Sequence, residues 1–212
     1  LTPSGAIMPR SPDTVVFDIG NVLIQWDPRL LYRSLFGNDH AADRFLAEVL
    51  PPEWNLEQDR GRSFTDAIAE AIARRPDQEE AIRAWDTRWH EMVPGEVPGS
   101  VAILKALKAS NVPLYAITNF SREKFAECRE RFPFLANDFI DVVISAHEGL
   151  IKPDRRIYEV LFARNALAPE QTVFIDDSPA NVAAARDIGM HAIHFTGAAP
   201  LERALRDLGF VF

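Results

Sequence analysis

Five short apolar runs punctuate the chain: Thr14–Phe17, Leu114–Ile117, Val142–Ile144, Thr172–Ile175 and His191–His194. They are rich in β-branched and aromatic residues and do not alternate with polar positions, the pattern of strands buried on both faces. Helical patterns lie between them. Val101, Leu104, Ala106 and Leu107 share one face of a predicted helix over Val101–Ala109, and a second helix over Asn181–Ile188 is stopped by Gly189. Strand alternating with helix predicts an α/β fold: a Rossmann-like, parallel five-stranded sheet with helices on both faces.

One interval breaks the rhythm. About 95 residues separate the first run from the second, whereas a βαβ unit needs only ~30. The excess has no strand signal and several amphipathic helical patterns. Ser63-x-x-Asp66 resembles a capping box opening a helix over Phe64–Arg75, and Pro51-Pro52, Arg60-Gly61 and Pro76 punctuate the stretch. We therefore expect an inserted helical cap over 28–94, a core made of 14–27 and 95–212, and a Pro- and Ser-containing tail over 1–13. An insertion at the carboxyl end of the first strand sits where open α/β sheets bind ligands, so it is expected to act as a lid.

Composition narrows the classes. Hydrophobic residues make up 47% of the 212, enough for a substantial core. The net charge is −8, without a basic stripe, which argues against nucleic acid as a partner. No run approaches the ~18 apolar residues of a membrane span, and the N-terminal stretch lacks the apolar segment of a signal peptide. The single cysteine, Cys128, cannot form an internal disulfide, which fits a cytoplasmic protein. It is expected to be a small, partly buried residue within Phe125–Arg131 rather than a nucleophile.

The candidate chemistry gathers at the strand ends. The first run continues into Asp18-Ile19-Gly20-Asn21-Val22, and the fourth into Asp176-Asp177-Ser178. Each has a bland alternative: Asp18 turns the chain, and the paired acids cap the helix that follows. If the two strands are neighbours, however, three carboxylates converge, and they repel unless a hard cation, most simply Mg²⁺, neutralises them. The second run ends in Thr118-Asn119, and the third is followed by Lys152-Pro153, one of only four lysines in the chain. A carboxylate nucleophile, a hydroxyl, an ammonium and a divalent cation together suit a phosphoryl group.

Asp18-x-Gly20-Asn21-Val22, Thr118-Asn119, Lys152-Pro153 and Asp176-Asp177, in that order, resemble the four motifs of the haloacid dehalogenase-like hydrolases. The likeness runs from Thr14 to Ile193 and is greatest to small-cap phosphatases similar to bacterial glucose-1-phosphatases. It implies a Mg²⁺-dependent phosphatase acting on a small phosphorylated metabolite, a sugar phosphate or similar. Asp18 would form an aspartyl phosphate. Asp18, the Gly20 carbonyl and Asp177 would hold the metal, with Asp176 close by. Thr118 and the Asn119 backbone would bind phosphoryl oxygens, Lys152 would neutralise the anions, and Asn181 lies where many members place another Asp.

Gly20 departs from the family pattern, in which a second Asp there protonates the leaving oxygen and then activates water. Good leaving groups, a substitute acid such as Asp27 or His90, or a catalytically weak ligand-binding role would each accommodate the change. A metal-independent 2-haloacid dehalogenase is the other alternative; the paired acids and the absence of its motif tyrosine count against it. Arg60 and Arg62 flank Gly61 in a cap loop, where a solvated role competes with a reach toward substrate. Trp54, Trp85 and Trp89 read as cap core, and His191 and His194 as structural.

Overall fold

In the computed structural model, residues 11–212 are described; most of the tail expected over 1–13 lies outside them. The five strands are β1 (Thr14–Phe17), β2 (Leu114–Thr118), β3 (Asp141–Ile144), β4 (Thr172–Asp176) and β5 (His191–His194). They form one parallel sheet in the order β3-β2-β1-β4-β5. Val16 of β1 lies opposite Tyr115 on one side and Phe174 on the other. The chain runs outward from β1 through β2 to β3, then returns to the far side of β1 for β4. The strand order therefore reverses between β1 and β4, the place where ligands bind in such sheets.

Each strand divides its side chains between two cores. Val15, Phe17, Ala116, Val173 and Ile175 face one, while Val16, Tyr115, Ile117 and Phe174 face the other. The helices after the insertion are α6 (Ser100–Ala109), α7 (Arg122–Arg131), α8 (Phe134–Asn137), α9 (Ser145–Glu148), α10 (Arg155–Asn165), α11 (Pro179–Asp187) and α12 (Ala198–Asp207). Helices α6, α7 and α12 cover the first face through Leu104, Leu107, Phe125, Leu201 and Leu205. Helices α10 and α11 cover the second through Ile157, Leu161 and Ala185. The α/β fold and its strand positions agree with the sequence reading. Among the described residues, no helix is long and apolar enough to cross a membrane.

Between β1 and α6 lie the five helices that precede these in the chain: α1 (Pro28–Phe36), α2 (Asp39–Glu48), α3 (Pro52–Asp59), α4 (Phe64–Arg74) and α5 (Glu79–Thr87). The first has Asp27 as N-cap, Pro28 in its opening turn and Gly37 at φ 75° as its stop. The fourth begins at Ser63, whose Oγ accepts the Asp66 N–H at 3.1 Å. The reciprocal half of the expected capping box differs. Asp66 is one methylene shorter than Glu, and its carboxylate accepts the Ser63 hydroxyl at 2.7 Å instead of the backbone N–H.

The aromatic residues also correct an expectation. Trp85 packs edge-on to Trp54, with centroids 5.3 Å apart, inside the insertion as anticipated. Trp89 falls in a 3-10 turn after that helix ends, and packs on Phe120 at 5.8 Å, beyond the end of β2. It belongs to the seam between insertion and sheet. Trp54, Trp85, Phe120 and Phe17 share a single apolar cluster, so the insertion and this face of the sheet have one continuous core.

The chain enters and leaves the insertion through two short segments bonded to each other. Gln25 N–H donates to Gly95 O and Asp27 N–H to Met92 O, both at 2.9 Å, and Val97 N–H donates to Leu23 O at 2.8 Å.

Candidate active site

The C-terminal ends of β1 and β4 put Asp18 and Asp176 side by side. Just beyond Asp18 the chain reverses in a tight turn. Asn21 adopts a left-handed φ of 55°, which Asn tolerates better than most residues, and its side-chain oxygen accepts the Trp26 N–H at 2.9 Å. The Gly-Asn pair thus frees the Asp18 carboxylate at the sheet edge. Its Oδ1 accepts the Ile19 N–H and the Lys152 ammonium, each at 2.7 Å.

Lys152 is the hub of the cluster. Its side chain is 1% exposed, and Nζ lies 2.7 Å from both Asp18 and Asp176. Asn119 holds the Lys152 backbone from two sides: its Oδ1 accepts the Lys152 N–H at 2.8 Å, and its Nδ2 donates to the Lys152 carbonyl at 3.1 Å. The family resemblance implied only a backbone role for Asn119, and nothing local in the sequence reveals a clamp between residues 33 apart. Thr118 ends β2, buried.

Asp176 is fully buried, and its carboxylate accepts Ser178 N–H, both contacts from the Asn181 amide, and Lys152. Those bonds occupy the roughly four acceptor positions a carboxylate has. Asp176 therefore anchors Lys152 and the turn, while Asp18 and the half-buried Asp177 retain free acceptor capacity. Asn181 spends its amide nitrogen on Asp176. His194 donates from Nε2 to the Asp177 carbonyl at 3.0 Å, consistent with its structural reading.

Charge is unbalanced here. Asp18, Asp176 and Asp177 offer carboxylate oxygens within 4.8 Å of one another, against one ammonium. Burial outweighs the Lys152 attraction and, with the Asp176 charge, pushes Asp18 up to about 7. Burial and then Asp176 also raise Asp177. Burial opposes the Lys152 charge, yet Asp18 and Asp176 outweigh it and raise that pKa. An all-oxygen set short of positive charge fits a small hard cation such as Mg²⁺.

Beside this cluster opens a cavity of about 290 Å³ between the sheet edge and the insertion. Gly20, Asn119 and Phe120 line it from one side, and Pro52, Leu56 and Trp89 from the other, together with Trp26. Most of the wall area is apolar, and Asn21, Asn55, Asn119 and Ser121 are among the polar residues that also line it. A second apolar cavity of about 430 Å³ shares Trp26, Pro52 and Asn55 with it.

The remaining candidates fall elsewhere. Asp27 caps the first helix of the insertion, its carboxylate accepting the Arg29 N–H at 2.9 Å, and it lines only the second cavity. Arg60 is exposed and pairs with Glu57 at 3.3 Å. Arg62 pairs with Glu70 and packs over Trp54. His90 is exposed, and its carbonyl takes a bond from Arg131. None of these four lines the cavity beside Asp18. The acid that does so is Asp59, one residue before Arg60. A faint signal existed, since an acid in the last turn of a helix faces the unfavourable end of the helix dipole. Cys128 is buried more deeply than expected, and burial pushes its thiol up to about 12, which leaves it inert.

A family model described as haloacid dehalogenase-like hydrolase matches residues 12–189. The chain is 26% identical over 196 residues to the sesquiterpene phosphatase astK of Aspergillus oryzae, covering 91% of this chain and 94% of that protein. Among solved structures, HAD family enzyme bt-2542 of Bacteroides thetaiotaomicron shares the fold with a TM-score of 0.74 at 18% identity, over 93% of this chain and 100% of that one. Its magnesium complex gives 0.74 at 17% identity, with the same coverage.

Proposed function

Since the chain belongs to the haloacid dehalogenase-like hydrolases, we propose that it is a Mg²⁺-dependent phosphatase acting through an aspartyl phosphate on Asp18. We further infer that the ester it cleaves is small and largely apolar, rather than a sugar phosphate. The observation that carries this reading is the Asp18–Lys152–Asp176–Asp177 cluster, together with a cavity of mostly apolar wall that Gly20 and Asn119 line beside it.

Among the described residues, Asp18 accepts both of its protein hydrogen bonds on Oδ1, which leaves Oδ2 as the carboxylate oxygen without a protein donor. Attack on phosphorus requires two anions to approach, and the buried Lys152 ammonium offsets their repulsion. Asn119 sets the position of that ammonium by clamping its backbone, and Asp176 holds it from behind. Thr118 and the Asn119 N–H, at the adjacent strand end, would receive phosphoryl oxygens. Asp18, Asp177 and the Gly20 carbonyl would hold Mg²⁺, which supplies charge neutralisation for the phosphoryl oxygens. The helical stretch 28–94 serves as the cap that closes over the ester, and Leu56, Trp89 and Trp26 contact its organic part. A relative named as a sesquiterpene phosphatase and a fold neighbour solved with magnesium support the two parts of this reading.

The test is a screen of phosphate monoesters with and without Mg²⁺. Phosphate release should require Mg²⁺ and vanish in Asp18→Asn. Along a series of alkyl or prenyl monophosphates, kcat/KM should rise about fourfold per buried methylene, the equivalent of ~0.8 kcal/mol. Full activity in excess chelator would overturn the metal-dependent mechanism, and preference for hexose phosphates would overturn the apolar substrate class.

A further inference from the structure

Breaking an unactivated phosphate ester leaves a strongly basic alkoxide unless a proton reaches the leaving oxygen, and a positioned acid contributes about 10²–10⁴ in rate. At Gly20 there is no side chain to supply one. A Cβ built there meets no heavy atom within 4 Å, so the space beside Asp18 where a neighbouring acid could stand is open.

Asp59 borders that space. It is the single titratable side chain among the residues that line the cavity, and it comes from the insertion rather than from the sheet. It is 8% exposed. Among the described residues, its Oδ2 receives one long hydrogen bond, from Asn55 Nδ2 at 3.2 Å, and no ion pair satisfies it. It stands apart from the group of three carboxylates that could share a cation. Its backbone is fixed to the core, because Ser145 Oγ donates to the Asp59 carbonyl at 2.6 Å while accepting the Phe120 N–H at 2.9 Å. The neighbouring loop is equally tight: a Cβ on Gly61 would lie 2.9 Å from the Ala146 carbonyl oxygen.

We propose that Asp59 is the acid–base residue of this site, delivered by the cap in place of the carboxylate that Gly20 lacks. The proposal rests on the phosphatase reading above. In the first step a bond forms from Asp18 to phosphorus as the bond to the leaving oxygen breaks, and the Asp59 proton passes to that oxygen, releasing an alcohol. In the second, the Asp59 carboxylate takes a proton from water as the water oxygen bonds to phosphorus. The bond to Asp18 breaks, and inorganic phosphate leaves. Burial and then the Asp18 charge, opposed by Lys152, push Asp59 up to about 7, so near neutral pH both forms are populated.

The experiment compares wild type and Asp59→Asn, both with Mg²⁺, on phenyl phosphate and 2,4-dinitrophenyl phosphate. The first leaving group needs a proton and the second does not. Asp59→Asn should lose about 10²–10⁴ in kcat on phenyl phosphate. On the dinitrophenyl ester it should still release one equivalent of phenol in a rapid burst, followed by slow turnover. Adding Gly20→Asp to Asp59→Asn should recover at least tenfold on phenyl phosphate. An equal loss in the first-turnover rate of phenol release on both esters, or no loss on either, overturns the assignment. If Asp59→Asn does not fold, the wild-type pH profile decides. Then kcat/KM on phenyl phosphate should fall on the alkaline side more steeply than on the dinitrophenyl ester, and parallel profiles overturn the assignment. Wild type that hydrolyses neither these esters nor those of the screen would defeat the phosphatase reading itself.

Discussion

At the scale of single residues, two buried acids sit near one lysine and are hydrogen-bonded differently. Asp176 accepts four N–H contacts, whereas Asp59 accepts one, long, from an amide. For Asp59 this has a consequence for stability in metal-free protein. Its folded pKa of about 7 lies above the ~3.9 of an unfolded Asp. The fold therefore favours the protonated form, and the stabilisation is complete below about pH 4 and lost as the pH rises through 7. Asp59→Asn keeps a neutral side chain at every pH. Urea midpoints from pH 5 to 8 should therefore fall more steeply for wild type than for the variant. Parallel curves would show that Asp59 is ionised throughout.

At the scale of elements, Ser145 ties the end of the third inserted helix to the segment after β2. Ser145→Ala would orphan the Phe120 N–H and the Asp59 carbonyl together, each a buried group worth about 1–3 kcal/mol when unsatisfied. We expect a loss of about 2 kcal/mol in chemical denaturation. A change below a few tenths would mean that water replaces the hydroxyl. This tie also marks where sequence reading stops. Strands β1, β2 and β4 were legible because burial on both faces leaves unbroken apolar runs, whereas the edge strand β5, expected to be buried likewise, exposes His191 and His194. Asp18, Thr118, Lys152 and Asp176-Asp177 stand out because each ends or follows an apolar run. Asp59 has no such frame. Its role depends on a helix packing against a serine 86 residues away. Arg60 attracted attention as a charge beside a glycine, yet the helix turns it to solvent.

For the whole molecule, the shared apolar cluster makes a prediction about cooperativity. All four tryptophans, Trp26, Trp54, Trp85 and Trp89, lie in the insertion or its first linker, so their fluorescence reports on that part, while far-UV circular dichroism reports on every helix and strand. Because Trp54 and Trp85 belong to the same core as Phe17 and Ile175, the two signals should share one urea midpoint. A tryptophan transition at lower urea would separate the insertion as an independently melting unit.

The paired linkers carry a different consequence. Where the chain leaves the sheet at Leu23–Asp27 and returns at Met92–Val97, it is closed by its own backbone bonds. The sheet consequently experiences the whole excursion as though it were a hairpin, whatever its length. Enlarging such a loop costs little, about 0.6 kcal/mol per doubling. The excursion is thus a place where a lineage can trade one pocket for another without touching the carboxylates. If the acid resides on Asp59, that trade is not free in this chain: a graft that brings a new pocket must bring its own proton, so substrate range and chemical competence are inherited together.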